Sequence, residues 1–230
     1  AYKTDPKSAF GGIVAINRTI NRKLAKKLTD IFLEVVIAPK VTTEARKILS
    51  TKQNLRVLIY PNFLKPNDQS LHIRSILGGF LIQTQDNVSL SKNNFKIVTK
   101  RKPTNDEKRD LLFAWIVAKH TKSNAIIYAK DRSTKGIGAG QMSRIDSAFI
   151  AKKKAADIQS NLLNNDLVLN KCVVASDAFF PFTDGLITAA NAGVTAVIQP
   201  GGSIRDKQII KEANKRNLAM IFTSLRHFKH

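Results

Sequence analysis

The chain has 230 residues, 43% hydrophobic and 24% charged, with a formal net charge of +21. That size and balance suit one or two buried cores and exclude a disordered chain, and no run approaches the roughly 18 apolar residues of a membrane span. The only cysteine, Cys172, permits no internal disulfide, and the first residues carry no leader pattern, so a reducing, cytoplasmic setting is expected.

In chain order, Gly11-Gly12 opens a strand through Ile16. Asn21 to Phe32 has helical spacing, and Val35 to Ala38 is a strand stopped by Pro39. Thr42 to Ser50 reads as a second helix and Leu55 to Tyr60 as another strand. The abrupt start at Asp5-Pro6 makes the first strand an expected interior member of a larger sheet, and the chain the later part of a longer polypeptide. Pro61 to Ser70 reads as a loop, Gly78 to Gln83 as a short strand, and Asp86 to Asn94 as polar connection. Thr104-Asn105-Asp106-Glu107 is a capping box that opens a helix to about His120, with Leu111, Leu112, Trp115, Ile116 and Ala118 on its buried side. Ala125 to Ala129 and Lys135 to Gly140 form a strand pair joined by Lys130 to Thr134. The next helix is expected from Gln141, so Gly138 to Arg144 is a glycine-rich entry whose free amides favour an anionic or carbonyl-bearing ligand. It is neither the dinucleotide fingerprint, whose third glycine is missing, nor a phosphate loop.

The last third alternates strand and helix. Lys171 to Ala175, Val194 to Ile198 and Leu218 to Phe222 are apolar strands, separated by helices over Asp184 to Ala192 and Ser203 to Arg216, the latter opened by its serine. Crossovers of this length imply a parallel sheet with helices on its faces. Three polar segments, beginning at Ser176, Gln199 and Arg226, would therefore emerge at one rim, where α/β proteins bind ligands. They either turn corners or line a site. Phe179, Phe180 and Phe182 beside Pro181 favour a pocket or a partner surface.

A charge of +21 is also the footprint of a nucleic-acid binder. The basic runs Arg22-Lys23 with Lys26-Lys27, Lys152 to Lys154, and Lys207 to Lys215 instead lie on helical patterns whose other face is apolar, and no stacking aromatics alternate with them. Nucleic acid is thus disfavoured, and a basic nucleic-acid-binding α/β protein is the alternative reading. A positive field equally suits a small anionic substrate. No Cys/His spacing suits zinc and no Gly-x-Ser-x-Gly elbow occurs. His72 reads as a surface residue and His120 as a helix-end cation. His227 and His230 belong to either a frayed tail or a ligand-contacting strip.

Five motifs, in order, carry a family resemblance: Asp5 to Gly12, Glu34 to Pro39, Lys122 to Ala125, Gly136 to Arg144, and the tail from Ser176. Together they resemble the bifunctional purine biosynthesis family, which joins an aminoimidazole carboxamide ribonucleotide formyltransferase to an inosinate cyclohydrolase. The resemblance runs from Asp5 to His230 and matches the C-terminal part of the formyltransferase. It implies cytidine-deaminase-like layered α/β subdomains without zinc, divided as 1–60 (end of the first subdomain), 61–103 (connection) and 104–230 (second subdomain). It further implies a homodimer, no metal, and formyl transfer from 10-formyltetrahydrofolate to the ribonucleotide's exocyclic amine.

Matched by motif, Gly11 and Glu34 would lie along the nucleotide, Asn124 beside the carboxamide and reacting amine as the catalytic group, and Arg144 with Phe179 around the base. Arg226 would meet the anionic nucleotide, while Ile145, Asp184, Ser203 and Ile204 would touch the folate. Taken alone, Asn124 could cap a strand, Asp184 could cap its helix and Arg226 could be a surface charge. Two departures stand out. The family's catalytic Lys-His pair falls upstream of Asp5, leaving this chain either inactive alone or a non-catalytic remnant, and Thr183 stands where relatives carry Arg.

Overall fold

A computed structural model describes residues 2–61, 71–88, 90, 95–159 and 169–229. The expected loop beyond Pro61, most of the polar run toward Asn94, and His230 lie outside the described residues. The chain folds into two compact units, Tyr2–Asn87 and Val88–His230.

In the N-terminal unit, β1 (Gly12–Ala15), α1 (Arg22–Thr29), β2 (Leu33–Ala38), α2 (Thr43–Leu49) and β3 (Arg56–Ile59) alternate. The strands form a parallel sheet in the order β1-β2-β3. Asn21 and Thr42 start the helices by accepting from the Leu24 and Ala45 amides at 3.0 and 3.2 Å. Ala25, Leu28, Ala45 and Leu49 then pack on Leu33, Val36 and Ala38 to make one core. Within the described residues β1 ends this sheet, and its Ile13 is 72% exposed.

Strand β4 (Leu71–Ile76) pairs antiparallel with β5 (Gly79–Thr84) across Leu77-Gly78. Gly78, at φ +81, supplies the left-handed residue of that two-residue turn. The hairpin was only half legible. His72 is exposed, as read, and sits inside β4, where the period-two pattern Leu71, Ile73, Ser75 is interrupted by Ile76.

The C-terminal unit is a three-layer sandwich. In chain order it comprises β6 (Lys96–Ile97), α3 (Asn105–His120), β7 (Ile126–Lys130), β8 (Ser133–Gly138), α4 (Arg144–Gln159), β9 (Cys172–Ser176), α5 (Thr183–Asn191), β10 (Val194–Gln199), α6 (Asp206–Lys215) and β11 (Ala219–Phe222). The six strands run in the order β6-β11-β10-β9-β7-β8. Strands β9, β10 and β11 are parallel, as the crossover lengths required, whereas β7 is antiparallel to both β8 and β9.

Alternation along the strands sorts the two cores. Ile127, Val173, Ala175, Ile198 and Ile221 face Leu111, Ala114, Trp115 and Ala118 of α3. Ile126, Tyr128, Cys172, Val174 and Met220 face Ala148 and Ala151 of α4, Leu186 of α5 and Ile209 of α6. The Thr104–Glu107 capping box forms as the sequence indicated. Two helix starts move inward. The fourth helix begins at Arg144 rather than Gln141, because Ser143 Oγ accepts the Asp146 amide at 3.1 Å. The sixth begins at Asp206, with Ser203 held outside it accepting the Arg205 amide.

Helix α4 lies directly on β8. A Cβ on Gly138 would sit 1.9 Å from the Ser147 carbonyl oxygen, and one on Gly136 2.1 Å from that of Ala151. Among the described residues no helix is long and apolar enough to cross a membrane, and no three His, Cys, Asp or Glu side chains cluster in a metal-ligating group.

Candidate functional site

Parallel pairing brings the C-terminal ends of β9, β10 and β11 to one edge of the sheet. Because β7 runs the other way, its start lies at the same edge, Ile126 opposite Ser176, and so does the end of β8, Gly138 opposite Ile126. Five segments thus share one rim: 122–125, 139–144, 177–182, 200–205 and 223–229. Register decides this, and register follows from which faces are apolar.

Asn124 precedes β7, and the Ser123–Asn124 peptide is cis. Its Nδ2 donates to the carbonyls of Gln141 and Met142 at 2.9 and 3.0 Å, and Ser147 Oγ donates to its own carbonyl at 2.7 Å. Those two carbonyls fix the amide's orientation and consume both of its donors, which leaves Oδ1 as an acceptor. The sequence allowed donor and acceptor roles alike; the fold leaves only the second.

Arg144 opens α4 with a side chain 15% exposed, its Nη2 3.5 Å from Oδ1 of the fully buried Asp177. Burial lowers the guanidinium pKa, Asp177 opposes that, and the positive Arg226 lowers it further, so the net shift is downward from the usual arginine value. Arg144 and Arg226 are thus two neighbouring cations, and the buried Asp177 carboxylate faces the first of them. That arrangement attracts an anion.

Arg226 is exposed and lies over two rings, Phe179 at 5.3 Å and Phe228 at 4.4 Å. The three expected aromatics separate by role. Phe180 is core, its amide donating to buried Gln199 Oε1 at 2.8 Å, whereas Phe179 is half-buried and Phe182 exposed beneath Arg205 at 4.4 Å. That last contact joins the loops after β9 and β10.

The four residues matched to the folate all lie at this rim. Ile145 and Ile204 are exposed, with Met142 and Phe182 also showing apolar surface. Asp184 is exposed and lies in the first turn of α5 rather than at its cap, which is Phe182; its Oδ1 accepts the Gly185 amide at 2.8 Å and leaves Oδ2 available. Ser203 is half-buried.

Gly11 and Glu34 belong to the N-terminal unit, where the structure brings them together. Gly11, at φ +69, would carry a Cβ 3.6 Å from Glu34 Oε1, its amide donates to the Phe32 carbonyl at 3.0 Å, and the Phe10 and Phe32 rings lie 4.8 Å apart. This pair sits at the N-terminal ends of β1 and β2, the opposite edge from the one where open α/β sheets usually bind ligands.

The sequence did not mark Ser123, Asp177 or Phe228. Ser123 Oγ donates to Asp177 Oδ2 at 2.6 Å, and the Asp177 carbonyl accepts the His227 amide at 3.1 Å. His227 is no frayed residue, being 2% exposed with its ring 4.9 Å from Trp115. One signal was readable: an aspartate directly after an unbroken buried strand calls for partners.

Comparison with known proteins adds the family. Residues 1–154 match the family model described as AICARFT/IMPCHase bienzyme. Over all 230 residues the chain is 52% identical to the bifunctional purine biosynthesis protein PurH of Dinoroseobacter shibae and 53% identical to that of Bartonella tribocorum. It spans only 44% and 43% of those relatives' lengths. With more than half of its residues inside the family model, this chain belongs to the AICARFT/IMPCHase bienzyme family.

Proposed function

We propose that this chain forms the ligand-positioning part of a formyltransferase that acts in purine biosynthesis, carrying a formyl group from 10-formyltetrahydrofolate to the amine of aminoimidazole carboxamide ribonucleotide. The observation that carries the reading is the rim itself, where Asn124, Arg144, Phe179 and Arg226 stand on segments that the sheet gathers at one edge, with the positive Arg226 close enough to lower the proton affinity of Arg144.

The chemistry fits what the side chains offer. An aromatic amine is a poor nucleophile, so the site must orient it, take its proton and stabilise an oxyanion on the formyl carbon. The Oδ1 of Asn124 can accept from an amine N–H and turn the nitrogen lone pair toward the formyl carbon. Arg226 offers a planar fork to a phosphate, and Phe179 a ring face to a base. Ile145 and Ile204 offer apolar surface to a pterin, and Asp184 accepts from its amino and ring N–H groups. Gly11 and Glu34 are proposed ribonucleotide contacts of the N-terminal unit.

Cytidine-deaminase-like layering, a cytoplasmic setting and a homodimer belong to the same proposal. In support of a second copy of the chain, every residue of β4 and β5 is exposed, among them Leu71, Ile73, Phe80 and Ile82. These 230 residues alone are expected to bind without turnover, since the family's Lys-His pair has no motif match among the described residues of the rim.

Titration calorimetry of the chain with the ribonucleotide and with a folate analogue tests the reading. Saturable binding of both is expected, with Arg226→Ala weakening the ribonucleotide by about 10- to 100-fold, the worth of a charge-assisted hydrogen bond. Absence of binding by either ligand, or equal affinity for a nucleoside lacking phosphate, overturns it.

A further inference from the structure

The segment after β11 is a strap stitched across the rim. Thr223 and Ser224 donate their amides to the carbonyls of Gln199 and Pro200 at 3.0 and 2.9 Å, and His227 donates to that of Asp177 at 3.1 Å. Lys229 then donates to Ser123 Oγ at 3.2 Å and accepts the Ser123 amide at 2.8 Å. The strap thus touches the ends of β10 and β9 and the start of β7 in their spatial order. Its side chains alternate accordingly, with His227 turned inward against Trp115 while Arg226 and Phe228 face outward.

Ser123 is where this strap meets the other arginine. Its hydroxyl, on a residue only 7% exposed, receives the strap's N–H on one side and gives its proton to Asp177 Oδ2 at 2.6 Å on the other. The second oxygen of that carboxylate faces Arg144. A hydroxyl can donate once while it accepts, so this one atom closes a chain running from Arg144 through Asp177 to the strap that carries Arg226.

We propose that Ser123 is a positioning residue that couples the two guanidiniums of the rim, so that Arg144 and Arg226 present one preformed anion-binding geometry. It does not touch the ligand; it sets the distance between the groups that do. This deepens the proposed function and rests on it for the identity of the anion. The strap part rests on geometry alone.

Three measurements test it on the 230-residue chain. Ser123→Ala is expected to weaken ribonucleotide binding about 5- to 20-fold while folate-analogue binding stays within twofold, with Ser123→Thr restoring most of the loss. In an Arg226→Ala background, Ser123→Ala is expected to add less than twofold, because a residue that acts through Arg226 has nothing left to act on. Without any ligand, amide exchange at His227 is expected to speed up at least about tenfold in Ser123→Ala, with a change in the emission of Trp115, the chain's only tryptophan.

Lys229→Pro deletes the same strap hydrogen bond from the exposed side, and it carries the test if the buried substitution fails to fold. Additive losses in the double variant, equal loss of both ligands by a folded Ser123→Ala, or unchanged exchange at His227 would each overturn the coupling. Failure of the unaltered chain to bind the ribonucleotide counts against the proposed function, and the exchange measurement still decides the strap.

Discussion

Gly138→Ala puts the packing of α4 on β8 to a direct test. The added methyl would lie 1.9 Å from the Ser147 carbonyl oxygen, 2.5 Å from its carbonyl carbon and 2.8 Å from its Cα. To lift 1.9 Å to the 3.0 Å that such contacts need, α4 must retreat by about 1.1 Å. The obstacle is helix backbone, which has no rotamer to turn away. Overpacking of a well-filled layer costs about 1–3 kcal/mol, and a backbone clash with no flexible partner belongs at the upper end, about 3 kcal/mol. Spread over a domain of this size, that lowers the melting temperature by about 6–12 °C.

The same movement drags Ser147, whose hydroxyl holds the Asn124 carbonyl at 2.7 Å, so ribonucleotide affinity is expected to fall along with stability. Thermal unfolding against Gly79→Ala provides the comparison, because a Cβ on Gly79 would meet nothing within 4 Å. A Gly138→Ala protein that melts within about 2 °C of the unaltered chain would show that the helix rests less closely on the strand than this argument holds.

Two further outcomes concern the opposite end of the sheet and the core. Burial raises the Glu107 pKa, but the bidentate Arg101 fork at 2.8 and 3.0 Å and the Thr104 amide outweigh it and hold the carboxyl below its ordinary value. A depressed carboxylate stabilises the fold above its unfolded-state pKa and loses that contribution as pH falls through the folded one, so stability should drop below about pH 4.5. Glu107→Gln should cost about 1–2 kcal/mol at pH 7 and flatten that acid limb in denaturant titrations; an unchanged limb would assign it to other groups. Burial lifts the Cys172 thiol to about 11, so at pH 8 a thiol reagent is expected to label the native chain at least about 100-fold more slowly than the urea-unfolded one. Comparable rates would mean that β9 opens readily.

Much of the fold was legible because its signals are local. The capping box at Thr104 and Glu107, the glycine turn into β1 and the three apolar strands before each rim segment all depend on neighbours within a few residues, and each formed where expected. Strand β6, two residues long, had no period to display. The sequence named Asn124, Arg144, Phe179 and Arg226 through motif resemblance, but it could not say which atoms of Asn124 remain for a ligand.

The sequence by itself determined the class of fold, the positions of most helices and strands, the family, and the expectation that polar segments meet at one sheet edge. Only the tertiary structure decided that Ser123 bonds to Asp177, 54 residues away, that Asn124 keeps an acceptor and spends its donors, and that His227 is buried against Trp115. The reason is physical. Side-chain periodicity reports which face of an element is apolar, while the partner of a hydrogen-bonding atom is set by strand register and helix placement, which emerge only when the layers close on one another.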